Sequence, residues 1–185
     1  METTQNNYTI IIFSESGAGV LTQVAHVFTR RMLSIDSINA STSSISGIHR
    51  YTITTRTDEA TIRIVTKQIE KKVDVLQAHY FEQDKVFVMD TGLFKVATNK
   101  LTDCPEISKA IRLHNASIIE VNQVYAIVTL SGLSETIVSL HEALKPYDCV
   151  LQYVRSGAIA ITRCPEEPLE DFLAQREHVR QSLND

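Results

Sequence analysis

Residues 8–20 read YTIIIFSESGAGV, a run of strand-forming residues that ends in a glycine-bearing turn. The apolar spacing of a helix follows at three- and four-residue intervals, at Val20, Leu21, Val24, Val27 and Phe28. Such a turn lets the backbone approach a ligand closely, and the free N–H groups at the start of a helix favour an anion such as a carboxylate. The sequence therefore predicts an anion site between the first strand and the first helix. A tight strand-to-helix turn also uses glycine for backbone reasons alone, and that structural interpretation stays open.

The same turn begins like a dinucleotide-binding fingerprint. Asp36 follows it at roughly the expected distance of about 20 residues, but Thr22 stands where the third glycine belongs. Residues 35–44 and 48–56 then read as a hairpin, whereas the fingerprint requires a helix-linked parallel pair. The context therefore disfavours a nucleotide site.

The composition is that of an ordinary globular protein. The 185 residues are 43% hydrophobic and 22% charged, with a formal net charge of -4 and both signs interspersed. This pattern favours neither nucleic acid nor an anionic membrane as a partner. The three cysteines, Cys104, Cys149 and Cys164, form no C-x-x-C pair, and neither a secretory leader nor a long apolar run is evident. We expect a soluble cytoplasmic protein.

One pattern of elements is written twice. Residues 8–81 read as strand, helix, strand, strand, helix, strand, with the second helix at about 58–72 and the last strand at 73–81. Residues 86–162 repeat this order. The sequence predicts an α+β protein of two tandem ferredoxin-like βαββαβ units, each with its helices on one face of an antiparallel sheet. The predicted domains are 8–82 and 86–163, followed by a helical tail at 164–185.

Within the second repeat the expected strands are 86–97, 116–121, 124–130 and 150–162. Pro105 marks the start of one helix, and Ser134 is the expected N-cap of another that ends before Pro146. Units this small leave open sheet edges, which pairing with another subunit would protect. We therefore expect an oligomer, with the amphipathic tail docked on its own chain or on a partner.

The sequence lacks the patterns of an enzyme active site or a metal centre. It contains no nucleophile elbow, P-loop or zinc-ligand spacing, and its histidines occur singly, at His26, His49, His79, His114, His141 and His178. An RNA-recognition sheet would share the strand order of these units. Residues 49–56 carry only one aromatic residue, Tyr51, so the aromatic pattern of that module is missing.

Five stretches resemble the regulatory small subunit of acetolactate synthase, also called acetohydroxyacid synthase. They are SESGAGVLTQV at 14–24, FTRR at 28–31, SIDSI at 34–38, VDVL at 73–76 and RSG at 155–157. The resemblance extends from about Tyr8 to Arg163 and covers both repeats. The first stretch alone would suggest only an amino-acid-binding ACT domain; the later stretches indicate the specific family.

The resemblance implies a non-catalytic homodimer that binds and activates a separate catalytic large subunit in valine, isoleucine and leucine biosynthesis. Thiamine diphosphate, Mg and FAD are then expected on the catalytic partner and none on this chain. Valine, as the end product, would bind the ACT dimer and inhibit. A free-standing amino-acid sensor or an RNA-binding module is the alternative.

The resemblance also implies where the amino acid binds, at an interface where the glycine loop of one N-terminal unit faces the helix-to-strand turn of another. By position it nominates Ser16, Gly17, Gly19, Val20, Leu21, Ser34 and Ile35. Members of the family that sense valine typically have asparagine at the positions of Ser16 and Ser34. A serine hydroxyl is shorter than an asparagine amide and offers fewer hydrogen bonds. We therefore expect activation to be retained and the valine response to be weak, altered or absent.

Overall fold

The computed structural model describes residues 5–164. Contacts divide this range into two compact units, one containing the residues up to Phe87 together with those from Ala160, the other Val88–Ile159. No helix in the described range is long and apolar enough to cross a membrane. The predicted domain bounds stay a prediction, and the predicted helical tail lies outside the described residues apart from Cys164.

The first repeat contains four strands and two helices. These are β1 (Asn6–Glu15), α1 (Val20–Thr29), β2 (Ser37–Thr42), β3 (Ile48–Thr57), α2 (Glu59–Glu70) and β4 (Val75–Glu82). The strands form an antiparallel sheet in the order β2-β3-β1-β4, which is the ferredoxin-like order. The ferredoxin-like prediction is confirmed for this repeat.

The continuous apolar run of β1 reflects burial on both sides of the sheet. Ile10 and Ile12 belong to the core that also contains Val24 and Phe28 of α1. Ile11 and Phe13 point to the opposite face, where they cluster with Ile48. A central strand that is covered on both faces loses the polar alternation of a half-buried strand. This burial fixes the strand that leads into the glycine loop.

The second repeat has the same sheet order, with an extra helix and an extra strand. Its elements are β5 (Val86–Ala97), α3 (Thr98–Asp103), α4 (Pro105–Leu113), β6 (Ser117–Val121), β7 (Tyr125–Gly132), α5 (Ser134–Leu144), β8 (Val150–Arg155) and β9 (Ile159–Thr162). The strands follow the order β6-β7-β5-β8, and β9 also pairs with β5. Its core joins Phe94 and Val128 of the sheet to Ile107, Ile137 and Leu140 of the helices.

Two expectations for the second repeat were wrong, and one element was missed. The predicted strand 150–162 is two strands, separated by a turn in which Gly157 has a φ of 80°. The short helix α3 was not predicted. Ser134 is the first residue of α5 and not its N-cap; Leu133 occupies that position, and Ser134 Oγ accepts a 2.6 Å hydrogen bond from Arg155.

Candidate amino-acid site

The glycine loop between β1 and α1 places backbone donors at its surface. Gly19 is the N-cap of α1 with a φ of 93°, in the left-handed region that favours glycine. Among the described residues no side chain caps this helix, and its first turn carries no acidic residue. The first N–H groups of a helix have no partner within it. The start of α1 therefore presents unneutralised donors that suit a carboxylate.

A carboxyl group lies on the other side of the same loop. A Cβ at Gly17 would lie 3.8 Å from Asp74 Cγ and 3.6 Å from Val20 Cγ2. Asp74 also accepts a 3.3 Å hydrogen bond from Gln23 Nε2, and its carbonyl accepts one from the Glu15 N–H at 2.9 Å. The loop thus has donors for a carboxylate at α1 and an acceptor for an ammonium group at Asp74. Sequence reasoning missed Asp74 as a candidate residue, although it is the second residue of the quoted VDVL stretch.

Ser16 is exposed and already has a side-chain neighbour. Its Oγ lies 3.3 Å from His49 Nε2, and its N–H donates to the Gly47 carbonyl at 2.9 Å. The loop is therefore held against the β2–β3 turn. His49, at the start of β3, is a second candidate residue that sequence reasoning missed, since it is 33 positions away in the chain.

The two hydrophobic loop residues have different environments. Val20 is 1% exposed and packs in the core, so only its backbone can meet a ligand. Leu21 is 45% exposed and is available for contact with an apolar side chain.

The turn between α1 and β2 contains the other two nominated residues. The carbonyl of Ser34 accepts a 2.6 Å hydrogen bond from Thr55 Oγ1, and Ile35 packs against the N-terminal core. An open cavity of about 450 Å³ lies beside this turn, and its lining includes Ser34, Asp36 and Arg56.

The loop and the turn lie at opposite ends of α1 and are not brought together within one chain. A helix of ten residues is about 15 Å long, which is more than an amino acid can bridge. The structure collects Ser16, Gly17, Gly19, Val20 and Leu21 at one end, and Ser34 and Ile35 at the other. A ligand that touched both groups would require a second copy of the chain.

Cys149 and Asp90 are buried titratable groups outside the glycine loop. No group of three or more His, Cys, Asp or Glu side chains within residues 5–164 could hold a metal ion. Burial raises the pKa of the Cys149 thiol, which therefore stays protonated near neutral pH. Asp90 is buried, and its carboxylate is paired with Arg155 and accepts hydrogen bonds from Ser156 Oγ and the Thr91 N–H.

Both repeats of this chain match known protein families. Residues 10–77 match the family described as the AHAS small subunit-like ACT domain, and residues 90–164 match the family described as the small subunit of acetolactate synthase. A relative from Bacillus subtilis, the acetolactate synthase small subunit, is 30% identical over 147 residues, which cover 79% of this chain and 84% of the relative. The chain belongs to the acetolactate synthase small-subunit family. The family resemblance read from the sequence is confirmed.

Other members of the acetolactate synthase small-subunit family support this assignment. The small subunit of Mycolicibacterium smegmatis is 25% identical over 85% of this chain and 92% of its own length. The crystal structure of the acetolactate synthase small subunit from Thermotoga maritima superimposes with a TM-score of 0.78 at 25% identity, covering 87% of this chain and 99% of that one. The fold of each repeat is therefore that of the family.

Proposed function

We propose that this chain is the regulatory subunit of acetolactate synthase, which binds and activates the catalytic large subunit in branched-chain amino-acid biosynthesis. The observation that carries the proposal is that both repeats match this family, and not the N-terminal ACT domain alone. An isolated amino-acid sensor would need only the ACT repeat.

The catalytic chemistry belongs to the partner in this proposal. Thiamine diphosphate, Mg and FAD would be held by the large subunit in the cytoplasm, and this chain would supply no reacting group. The buried protonated thiol of Cys149 and the fully paired Asp90 fit structural roles better than catalytic ones.

The proposed effector is a branched-chain amino acid, with valine as the first candidate. Its α-carboxylate would lie at the start of α1, where Gly19 ends the loop and the helix donors are free. Its ammonium group would face Asp74, and its side chain would contact the exposed Leu21. Backbone donors, one carboxylate and one apolar side chain match the three parts of such a ligand.

The site would be completed by a homodimer. Ser34 and Ile35 lie at the far end of α1, so they can serve the same ligand only from a second copy. Sheet edges also favour association, since β2 and β6 are edge strands of their sheets within residues 5–164. In β6 the exposed residues include Ile118, Ile119 and Val121.

The valine response is expected to be weak because serine replaces two longer amide side chains. Ser16 Oγ is engaged by His49, so a ligand would have to displace or recruit that ring. Hydrogen bonds to charged groups contribute about 1.5–3 kcal/mol each, so one lost bond weakens binding by roughly ten- to a hundredfold. A bridging water would recover part of this loss.

Co-purification tests the proposal. This chain and the large subunit encoded in the same genome are expected to elute together and to form acetolactate faster than the large subunit alone. Addition of valine, leucine or isoleucine then shows which amino acid, if any, lowers the rate. If the two proteins elute separately and the rate is unchanged, the regulatory function is wrong, and amino-acid binding by this chain alone would favour the free-standing sensor.

A further inference from the structure

A groove between α1 and α2 of the first unit concentrates positive charge. It has a volume of about 440 Å³, and its basic lining residues are His26, Arg30, Arg31, Lys71 and Lys72. The remaining lining residues are Gln23, Val27 and Gln68, so the lining found within residues 5–164 contains no carboxylate. The whole chain has a formal net charge of -4, which makes this concentration of cations a local feature.

Within residues 5–164, the cations of the groove have no carboxylate partner. None of the ion pairs found within residues 5–164 involves Arg30, Arg31, Lys71 or Lys72. Arg31 is oriented by a neutral partner, since its Nε donates to Gln68 Oε1 at 3.1 Å. Basic residues commonly follow helices because the helix dipole favours them there. That preference accounts for cations after each helix, but not for four of them around one groove.

We propose that this groove docks a carboxylate-rich segment on the surface of the catalytic large subunit. The proposal rests on the regulatory function proposed above and adds the surface of this chain that makes the contact. Complementary charges steer association and fix the register of two surfaces. Arg30 and Arg31 can bind carboxylates with paired N–H donors, while Lys71 and Lys72 act as point charges.

The lining favours a protein segment over a small free anion. Val27 is the one apolar lining residue and is 4% exposed, so the groove has little apolar surface for the body of a small ligand. The charges are carried on long side chains of the residues that directly follow α1 and α2, an arrangement that suits an extended acidic surface.

The groove and the effector loop share one helix. Gln23 lines the groove and also donates to Asp74 beside the glycine loop, at 3.3 Å. An amino acid bound at the start of α1 would therefore act on the element that holds the large subunit. Coupling between two binding sites is reciprocal, so large-subunit binding would change the effector affinity by the same factor.

Paired charge-neutralising variants test the docking surface. The groove variant is Arg30→Gln with Lys71→Gln, and the matched control is Arg63→Gln with Lys67→Gln, which removes the same charge from exposed positions outside the groove lining. Affinity for the purified large subunit is measured at several salt concentrations. We expect the groove variant to bind the large subunit roughly tenfold more weakly or worse at low salt, with the difference shrinking as salt rises, and the control to bind within about twofold of the unaltered protein.

Two further measurements test the docking surface independently of whether the groove variant folds. The charge-retaining variant Lys71→Arg with Lys72→Arg should keep the affinity, and binding by the unaltered protein should itself weaken with salt. Equal affinities for the groove variant and its control, or salt-independent binding, overturn the docking proposal while leaving activation intact. If the unaltered protein neither binds nor activates the large subunit, the regulatory function and the docking surface both fall.

Discussion

Ser16 Oγ and His49 Nε2 lie 3.3 Å apart, which links the glycine loop to the first residues of β3. The hydroxyl nominated for effector binding is therefore already in contact with a side chain of its own unit. A ligand at this loop must replace the histidine contact or add to it, and neither event could be deduced from the loop sequence.

Asparagine at the two serine positions should strengthen valine binding. In Ser16→Asn with Ser34→Asn, each amide offers a donor and an acceptor on a longer arm, so recovery of one bond to a charged group would lower the Kd for valine by roughly ten- to a hundredfold. Isothermal calorimetry on the unaltered and variant proteins measures the change. Micromolar binding of valine by the unaltered protein would contradict the expected weak response. An unchanged Kd in the variant would show that neither Ser16 nor Ser34 contributes to valine binding.

The two loop glycines should differ in their tolerance of alanine. Gly19 has a φ of 93°, so Gly19→Ala should lower the free energy of unfolding by about 1–2 kcal/mol. Gly17 has no positive φ, and a Cβ there would meet Val20 at 3.6 Å, an ordinary contact. Gly17→Ala is the matched control and should change the stability by less than about 0.5 kcal/mol. Urea unfolding compares them, and equal losses would contradict the account of the loop.

Arg155 should be essential to the stability of the second unit. Its Nε donates to Asp90 at 2.6 Å, and the side chain of Asp90 is only 1% exposed. Arg155→Met leaves that carboxylate buried without its cation, and the expected cost is about 3–5 kcal/mol.

The matched control for this ion pair is Ser156→Ala, which removes one hydrogen bond to Asp90 and leaves the Arg155 pair in place. It should cost about 1.5–3 kcal/mol, measured by the same denaturant titration. Adding Asp90→Asn to Arg155→Met should recover part of the loss, since no buried charge remains. A double variant no more stable than Arg155→Met alone would show that the charge is not the cause.

Acid should weaken the start of α2. The backbone N–H of Thr61, and then its hydroxyl, hold the pKa of the Asp58 carboxyl below its usual value of 3.8. A lowered pKa in the folded state stabilises the fold above the unfolded pKa, and this contribution is lost as the pH falls through the folded value. The stability difference between the unaltered protein and Asp58→Asn, which keeps a capping oxygen but does not titrate, should therefore fall as the pH drops below 3.8. If the stability difference between the two proteins stays constant through this pH range, the ionised Asp58 carboxylate does not stabilise the start of α2.

The sequence was sufficient for the βαββαβ order because each element carries its own periodic signal. Asp58 illustrates this, since it caps α2 through the Thr61 N–H at 2.9 Å and lies where the predicted helix begins. The strand predicted at 150–162 failed because its apolar residues continue across Gly157, whose φ of 80° breaks the extended conformation. Ser134 failed as a cap because its hydroxyl is the acceptor for Arg155, a contact between residues 21 positions apart.

The candidate site was only partly accessible from the sequence. Local pattern located Gly19 at the start of α1. The same apolar spacing grouped Leu21 with the buried face of that helix, which was wrong, since Leu21 is 45% exposed. His49 and Asp74 approach the same loop from β3 and from the segment before β4. The periodicity of one sequence reports local structure and does not reveal contacts between residues that are distant in the chain. The separation of Ser34 from the loop depends on the direction and length of α1, which the structure supplies.

The central claim is activation of a catalytic partner, and its most direct measurement is the rate of acetolactate formation by a fixed amount of large subunit as this chain is added. We expect no activity from this chain alone and a rate that rises with added chain until it saturates at a constant subunit ratio. A rate that stays at the level of the large subunit alone, at concentrations of this chain well above that ratio, would contradict the account.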